Sequence, residues 1–440
     1  MLKRFTNLSN AVMQRYLPDP YLFVVILTIV VFLMGIVVVG STPVEMVEYW
    51  GDGFWDLLTF SMQMVLVLVT GYVLASSPVF KKGLAFIASF VKTPGQAIIV
   101  VTLVSLLASW INWGFGLVIG ALFAKELAKV VDKVDYRLLI ASAYSGFLVW
   151  HGGLAGSVPL TIATEGHFTS EMIGIISTNE TIFSTFNLFI VLSLFIVIPI
   201  VNRFMMNSET AVYVDKSLFD DSPTAATVEK VENRTPAERV ENSWLLSMII
   251  GLLGLWFIIK YFFANGFSLN LNIVNFIFLF LGILLHGTPR KYIDSVTDAV
   301  KGASGIIIQF PFYAGIMGMM VSSGLASKIS EWFVTFSNEF TFPFFAFISA
   351  GIVNFFVPSG GGQWAVQAPI MLEAAKDLGV DYAKTAMAVA WGDAWTNMIQ
   401  PFWALPALAI AGLKAKDIMG FCFIVMVISG VFITIGLLFM

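Results

Sequence analysis

Asn354-Phe-Phe-Val-Pro358-Ser-Gly-Gly-Gly362-Gln-Trp364 interrupts an apolar segment in the second half of the chain. Proline and glycine leave backbone polar groups without helical partners, and at membrane depth these groups must be satisfied by protein or by a bound solute. Close packing between helices through glycine is the alternative explanation. Three consecutive glycines disfavour a helix and are not needed for such packing. The stretch is therefore interpreted as a binding segment.

The rest of the sequence is typical of a membrane protein. Its 440 residues are 58% hydrophobic and 12% charged, with a mean hydropathy of +0.87, whereas soluble proteins are roughly 45–50% apolar. The first apolar run is too long for a secretory signal and is expected to be retained. The single cysteine excludes an internal disulfide. Runs of about 20 residues, enough to cross a bilayer, occupy 21–40, 182–201, 244–263 and 421–440.

Two halves of the chain resemble each other at an offset of 246 residues, which places Thr42-Pro43 on Thr288-Pro289. The run 244–263 has no counterpart in the first half. One unmatched span between two copies turns the second copy upside down, so the sequence predicts inverted repeats. The other aligned positions are Gln63 with Gln309, Ser76-Ser77 with Ser322-Ser323, Gly146 with Gly392, and Gly174 with Gly420.

The predicted organisation separates the two repeats by the only long polar stretch. This stretch holds eight acidic and four basic residues, and the remainder of the chain is balanced, so nothing indicates a nucleic-acid partner. The predicted parts are a cytoplasmic N-terminal segment 1–20; a first inverted repeat 21–203 with a re-entrant hairpin 95–124 and a broken helix 138–163; a cytoplasmic linker 204–242; an extra connecting helix 243–264; and a second inverted repeat 265–440 with a hairpin 343–374 and a broken helix 385–411.

The positive residues indicate the orientation, because lysine and arginine concentrate in cytoplasmic loops. With the N-terminus inside, nine crossings and two hairpins, 20 of the 24 basic residues lie on the cytoplasmic side. The other four are Lys260, Lys328, Lys376 and Lys384. A full crossing in place of either hairpin would move basic loops outside. The pattern therefore predicts a cytoplasmic N-terminus and a C-terminus on the opposite side of the membrane.

Three more segments are interrupted by polar and small residues. Two hairpin tips that face two broken helices bring together half-helix N-termini, which favour an anion, and free carbonyls, which favour a cation. For Gly114 and Gly116 alone, helix packing explains the pattern equally well. The segments are Ser109-Trp-Ile-Asn112-Trp-Gly114-Phe-Gly116, Trp150-His151-Gly152-Gly153-Leu-Ala-Gly156-Ser157-Val-Pro159 and Gly392-Asp393-Ala-Trp395-Thr396-Asn397-Met-Ile-Gln400-Pro401.

The interrupted segments contain no lysine or arginine. An anionic head is then expected to bind backbone N–H groups and amide or hydroxyl side chains, so a singly charged solute is favoured over a dicarboxylate. The coupling ion is Na+ or H+, with sodium expected near Asn112 and Asn354. The candidate binding residues are Asn112, Trp113, Gly114, Gly116, Gly152, Gly153, Asn354, Pro358, Ser359, Gly360, Gly361, Gly362, Gln363, Trp364, Asp393, Thr396, Asn397 and Gln400.

Asp393 is the acidic residue placed deepest in the predicted membrane region. An ionised carboxylate there costs roughly 2.5–3.5 kcal/mol or more, so Asp393 should face a cavity and carry a proton or bind sodium. A helix-capping role is the alternative. His151 is a weaker candidate, since a buried imidazole with satisfied hydrogen bonds explains it equally well.

Motifs of enzymes and pumps are missing from the sequence. It contains no phosphate-binding G-x-x-x-x-G-K-[ST] loop, no H-E-x-x-H and no G-x-S-x-G. No cofactor is expected, and an ion gradient is the expected energy source. A channel and a carrier of another organic anion, such as a dicarboxylate or a peptide-like acid, remain as alternatives.

The sequence resembles the bacterial short-chain fatty acid transporter family of the ion-transporter superfamily over nearly its whole length. The resemblance implies an elevator-type carrier of short monocarboxylates such as butyrate or acetoacetate, commonly dimeric. Glycine is usual in the family at the position of His151. The stretches that carry the resemblance are Leu17-Pro-Asp-Pro20, Trp50-Gly-Asp-Gly-Phe-Trp55, Ile111-Asn-Trp-Gly-Phe-Gly116, Gln309-Phe-Pro-Phe-Tyr-Ala-Gly315, Val357-Pro-Ser-Gly-Gly-Gly362 and Gln400-Pro-Phe-Trp-Ala-Leu-Pro-Ala-Leu-Ala-Ile-Ala-Gly412.

Overall fold

The computed structural model describes residues 20–207, 211–214, 235–354, 357, 359–400 and 403–440, and the ordered elements in these ranges are helical. The first ten helices precede the polar linker. They are α1 (Pro20–Met34, continued by a π-helical turn Gly35–Val39), α2 (Pro43–Gly53), α3 (Leu58–Ala75), α4 (Pro78–Ser89), α5 (Pro94–Ile111), α6 (Trp113–Val130), α7 (Tyr136–Ser145, continued by a 3-10 turn Gly146–Val149), α8 (Ser157–Ile162), α9 (Ser170–Ile173) and α10 (Thr185–Phe204).

Eleven further helices follow in the described part of the chain. They are α11 (Pro236–Glu241), α12 (Trp244–Asn265), α13 (Leu271–His286), α14 (Pro289–Val300, followed by a 3-10 turn Lys301–Ala303), α15 (Ser304–Ser322), α16 (Leu325–Phe336), α17 (Phe342–Val353), α18 (Gly360–Leu378), α19 (Tyr382–Thr396), α20 (Ala404–Ala411) and α21 (Ala415–Phe439).

Threonine followed by proline sets several helix starts. Thr42, Thr93 and Thr288 are N-caps whose side chains accept a backbone N–H from the first turn, and proline follows each of them. Proline suits this position because its missing N–H would have no helical partner there. The repeated Thr-Pro pair noted in the sequence therefore begins α2 and α14.

The helices occur in the same order before and after the linker. The helices α1 to α8 and α10 are followed, after α12, by α13 to α20 and α21 at similar lengths and spacings. Within the described ranges, six helical stretches are long and apolar enough to cross a membrane: 58–75, 94–111, 185–204, 244–265, 289–322 and 415–439. The α12 helix is the most exposed of these, since 22% of its apolar window is buried, which suits a lipid-facing helix.

The first predicted hairpin is the pair α5 and α6, which meet at Asn112. Asn112 closes α5 and caps α6, with its Oδ1 accepting from the Phe115 N–H at 2.9 Å. Just after this turn, Gly116 of α6 packs directly against Ser109 of α5. The 18 residues of α5 rise about 27 Å, nearly the hydrocarbon thickness. Helix length therefore does not distinguish a re-entrant hairpin from two crossings, and the re-entrant path stays a prediction.

The second predicted hairpin is the pair α17 and α18. Gln363, in the first turn of α18, donates to the Ala350 carbonyl at 2.8 Å and to Gln367 Oε1 at 2.7 Å. Gln367 in turn donates to Ser349 at 3.2 Å. These bonds tie the two arms together. Gln363 therefore holds the hairpin closed, a role that its assignment as a binding residue did not anticipate.

The two predicted breaks differ in position. In the first half the helix ends after Val149, and α8 begins at Ser157. In the second half the predicted segment 392–401 begins inside a helix, because α19 continues through Gly392 and Asp393 to Thr396, and α20 begins at Ala404. Gly392 instead allows close contact with the Phe347 carbonyl and Ala350 of α17. The glycine serves helix packing, and the chain leaves the helix only from Asn397 onward.

A pair of glycine variants tests the close packing of α6 against α5 at Gly116. A Cβ at Gly116 would overlap Ser109, so Gly116→Ala is expected to lower the free energy of unfolding by about 1–3 kcal/mol through overpacking. The control is Gly83→Ala in α4, where no heavy atom lies within 4 Å of the added carbon. It should be neutral or stabilising by about 0.5–1 kcal/mol. The melting temperatures of the two variants are measured by thermal unfolding in detergent. Equal melting temperatures would contradict the close packing of α5 against α6 at Gly116.

Candidate functional site

Both hairpin tips and both breaks contribute to one small cavity. The volume open to the centre of a water molecule is about 10 Å³, which is roughly room for one water. The lining residues are Trp113 at the first tip, Ser359 and Gly360 at the second tip, Phe147, Trp150 and Ser157 at the first break, Trp403 after the second break, and Met64 and Ile306 from α3 and α15.

Four aromatic rings form the walls of this cavity. Trp113 contacts Trp150 and Trp403 at centroid separations of 5.9 and 5.2 Å. Phe147 completes the cycle, at 5.6 Å from Trp150 and 6.2 Å from Trp403. We call these four residues the aromatic cycle. Because each ring packs against two others, the cycle makes a firm apolar wall that joins the first tip to both breaks.

The second tip brings the start of α18 to the cavity. Ser359 is the N-cap of α18, and the three glycines form its first turn. A Cβ on Gly360 would lie 2.5 Å from His151 Cε1, one on Gly361 2.5 Å from Phe60 Cζ, and one on Gly362 2.5 Å from the Tyr313 ring. The interpretation that packing does not need these glycines is therefore wrong, because each allows an aromatic ring to approach the helix backbone.

His151 and Asp393 form a fully buried pair behind the second tip. His151 Nδ1 lies 2.9 Å from Asp393 Oδ2, and the Val158 N–H donates to His151 Nε2 at 3.1 Å. A ring nitrogen that accepts carries no proton, so we assign the proton to Nδ1, which donates to Asp393. The imidazole is then neutral. It also stacks on Trp150 at a centroid separation of 4.0 Å, so the pair adjoins the aromatic cycle.

Asn354 connects the second hairpin to the end of α19. Its Nδ2 lies 3.0 Å from the Asp393 carbonyl, 2.9 Å from Thr396 Oγ1 and 2.9 Å from Asn397 Oδ1. Tyr144 of α7 donates to the Asn397 carbonyl at 2.7 Å. The predicted residues Asn354, Asp393, Thr396 and Asn397 are thus brought together, and Tyr144 joins them from the first half.

Several buried polar atoms in this region have no hydrogen-bond partner within the described residues. Buried polar groups are normally bonded, so a concentration of such atoms indicates a place where ions, water or solute are bound. Gln400, which is also buried, belongs to the set. The atoms are Asn112 Nδ2, Asn354 Oδ1, Asp393 Oδ1, Asn397 Nδ2, Gln400 Oε1 and the Nε1 atoms of Trp113, Trp150 and Trp364.

Comparison with known proteins identifies the family of the chain. All residues, 1–440, match the family described as short chain fatty acid transporter. Proteins of Escherichia coli K12 and Haemophilus influenzae Rd, each named "Putative short-chain fatty acid transporter", are 46% identical to the chain. The first alignment covers 99% of both chains and the second 100% of both. The chain belongs to the short-chain fatty acid transporter family.

The transporter also shares its fold with a solved structure. The crystal structure of the YdaH transporter of Alcanivorax borkumensis matches with a TM-score of 0.60 at 15% identity, over 96% of this chain and 97% of that one. At this identity the likeness shows the fold alone. Family membership and the apolar helices together make the chain a multi-pass membrane protein of a transporter family.

Four of the predicted binding glycines have packing roles in the transporter. A Cβ on Gly114 would lie 3.0 Å from the Leu68 carbonyl, and Gly116 packs against Ser109. Gly152 faces Trp391, and Gly153 lies against the Trp110 carbonyl. They let the backbone of the tip and the break approach neighbouring helices. Pro358 lies outside the described residues.

The predicted sodium site is not assembled by direct contacts. Asn112 is hydrogen-bonded to Ala108, Phe115 and Gly116 within the first hairpin, whereas the hydrogen bonds of Asn354 run to α17 and to the end of α19. Among the described residues, no group of three or more His, Cys, Asp or Glu is placed to hold a metal ion. Sodium binding through carbonyl and amide oxygens therefore stays a prediction.

Sequence reasoning also missed a buried polar contact between Asn187 in the first half and Trp391 in the second. Trp391 Nε1 donates to Asn187 Oδ1 at 2.9 Å, and Asn187 Nδ2 donates to the Gly152 carbonyl at 3.0 Å. Asn187 thereby satisfies the backbone of the first break from α10. The available signal was an asparagine near the start of a mostly apolar helix of 20 residues, where an unpaired amide would be costly.

A second, larger pocket lies on the far side of Phe60. Its volume is about 140 Å³, and Asp56, Glu165 and His167 are among its lining residues. Burial lowers the pKa of His167, which is half-buried and bonded to the Gly174 carbonyl. Because Phe60 lines this pocket and also touches Gly361, the side chain separates the polar pocket from the second hairpin tip.

The His151–Asp393 pair can be tested with a double-mutant cycle on stability. His151→Ala leaves a buried carboxylate without its donor, and breaking a buried ionisable pair costs about 3–5 kcal/mol. In the Asp393→Asn background the same change should cost about 1–3 kcal/mol less, since no charge is left unpaired. Unfolding of the four proteins in detergent measures this coupling. His167→Ala, which shares no partner with Asp393, is the control and should be additive. If the effects of His151→Ala and Asp393→Asn on stability were additive as well, the interaction between the two side chains would be refuted.

Proposed function

We propose that the protein is a cation-coupled symporter of short-chain monocarboxylates, such as butyrate or acetoacetate, in the bacterial inner membrane. The observation that carries the proposal is the cavity shared by both hairpin tips and both breaks. Transporters of this kind bind solute at the midplane between discontinuous helices. The family name supports the class of cargo.

The carboxylate head is assigned to the second hairpin tip. Gly360, at the start of the 19-residue helix α18, lines the cavity beside the Ser157 and Ser359 hydroxyl groups. A helix N-terminus carries roughly half a positive charge and offers backbone N–H groups to an anion. The first tip adds Trp113 at the start of α6. With no lysine or arginine in the interrupted segments, this arrangement suits a single negative charge.

Asp393 is the proposed carrier of the coupling ion, Na+ or H+. Its carboxylate is buried beside an imidazole that we assign as neutral, so the negative charge has no positive partner among the hydrogen bonds described. A buried ion without compensation is costly. Binding a proton or a sodium ion removes this cost, and uptake of one cation with one monocarboxylate moves no net charge. The unpartnered Asp393 Oδ1 is available to that ion.

Transport is proposed to follow an elevator scheme built on inverted repeats. The same order of helices before and after α12 supports the repeats, and the basic residues support a cytoplasmic N-terminus and a periplasmic C-terminus. In this scheme the hairpins and broken helices move together past the other helices. A homodimer is proposed as the assembly, and the exposed apolar face of α12 faces lipid.

Uptake of labelled butyrate and acetoacetate into proteoliposomes tests the function. The purified protein should give saturable uptake that an inward sodium or proton gradient drives above equilibrium, together with counterflow in preloaded vesicles. Empty liposomes are the control. Uptake without saturation or counterflow would indicate a channel, and uptake restricted to dicarboxylates or peptide-like acids would make it a carrier of another cargo. Either outcome would refute the proposal.

Asp393→Asn separates coupling from binding in the same assay. The amide keeps the side-chain shape but neither ionises nor binds a cation strongly, so gradient-driven accumulation should be lost while exchange of butyrate across the membrane continues. Asp377→Asn changes an exposed carboxylate at the end of α18 and should behave as the wild type. Unchanged accumulation by Asp393→Asn would return Asp393 to a structural role.

A further inference from the structure

Within the proposed function, we propose that Met64 and Ile306 set the length of the acyl chain that the transporter accepts. These side chains line the cavity and come from α3 and α15 rather than from a hairpin or a break. Both are buried, at 3% and 9% exposure. They are also the only aliphatic side chains among the described lining residues.

The rest of the lining leaves little freedom to a bound chain. The aromatic cycle holds its rings against one another at 5.2–6.2 Å. Gly360 and the two serines are small and provide the polar side. Since the head binds on that polar side, the hydrocarbon tail meets either packed rings or the two aliphatic side chains. The tail is therefore accommodated at Met64 and Ile306.

The size of the cavity strengthens this assignment. Space for about one water cannot hold a four-carbon acid, so part of the wall moves when the acid binds. Methionine is unbranched, with three rotatable bonds, and adapts to irregular spaces more readily than a ring locked in a cluster. Met64 therefore yields to the tail, and the volume left between Met64 and Ile306 limits its length.

The repeat explains why these two positions face the site. At the offset of 246 residues, Met64 aligns with Phe310 and Ile306 aligns with Phe60. Positions 60 and 64 lie one turn apart on one face of α3, and positions 306 and 310 lie one turn apart on one face of α15. The ring centroids of Phe60 and Phe310 lie 5.7 Å apart, and Phe60 fills the space beside Gly361. Of these four positions, the two that pack near the second tip carry phenylalanine. The two that line the cavity carry the smaller side chains of methionine and isoleucine.

The test is a chain-length profile in proteoliposomes. Straight-chain acids from acetate to octanoate compete with labelled butyrate, and the ratio of the inhibition constants for hexanoate and butyrate is measured. Each methylene buried is worth about fourfold in affinity. Met64→Ala and Ile306→Ala should shift the ratio about fourfold or more toward hexanoate. Met64→Phe should shift the preference the opposite way, toward acetate and propionate.

Matched controls come from the same helices. Met62 and Ile308 are 56% and 54% exposed, and Met62→Ala and Ile308→Ala should leave the profile unchanged. Ile306→Val removes one methyl group and gives a smaller shift in the same direction, should a larger truncation not fold. A profile that stays fixed while butyrate uptake is retained, or that moves equally in the controls, overturns the inference. Failure of the wild type to transport butyrate would instead overturn the proposed function.

Discussion

The hydrogen bond between His151 and Asp393 is the constraint on which the central arrangement depends. A carboxylate with 1% exposure must have a donor, and its donor lies 242 residues away in the other half of the chain. The same imidazole accepts from the start of α8, stacks on Trp150 and touches the first residue of α18. One side chain therefore fixes the relative positions of the first break, the second hairpin tip and the intact helix α19.

Much of the helical framework was predictable from local chemistry. Thr-Pro pairs and apolar runs mark where helices begin and extend, because capping and side-chain burial are decided within a few residues. The interrupted segments also supply much of the lining of one cavity, with Trp113, Trp150, Ser359 and Gly360 among its residues. These residues are polar, small or bulky in places where a lipid-facing helix would carry aliphatic side chains. That local contradiction is visible without any knowledge of contacts.

What the sequence could not reveal depends on partners distant along the chain. Three glycines at 360–362 suggested a broken helix, yet they form the first turn of α18 because His151, Phe60 and Tyr313 press against them. Gly392 likewise suggested a break but lies within α19, where α17 packs closely. Glycine permits both a break and a close approach, and only the opposing ring or carbonyl distinguishes them. The partner of His151 was hidden for the same reason.

Several buried residues around the cavity stand where the two halves cease to match. At the offset of 246 residues, Asp393 aligns with Phe147 and Asn397 aligns with His151. The first half thus contributes an aromatic wall where the second contributes a carboxylate, and an imidazole where the second has an amide. A frame with repeated helices would offer two equivalent sites if its side chains were repeated as well. Because they differ, the surroundings of the cavity are not symmetric: Phe147 belongs to the aromatic cycle on one side, whereas Asp393 is buried with His151 behind the second tip.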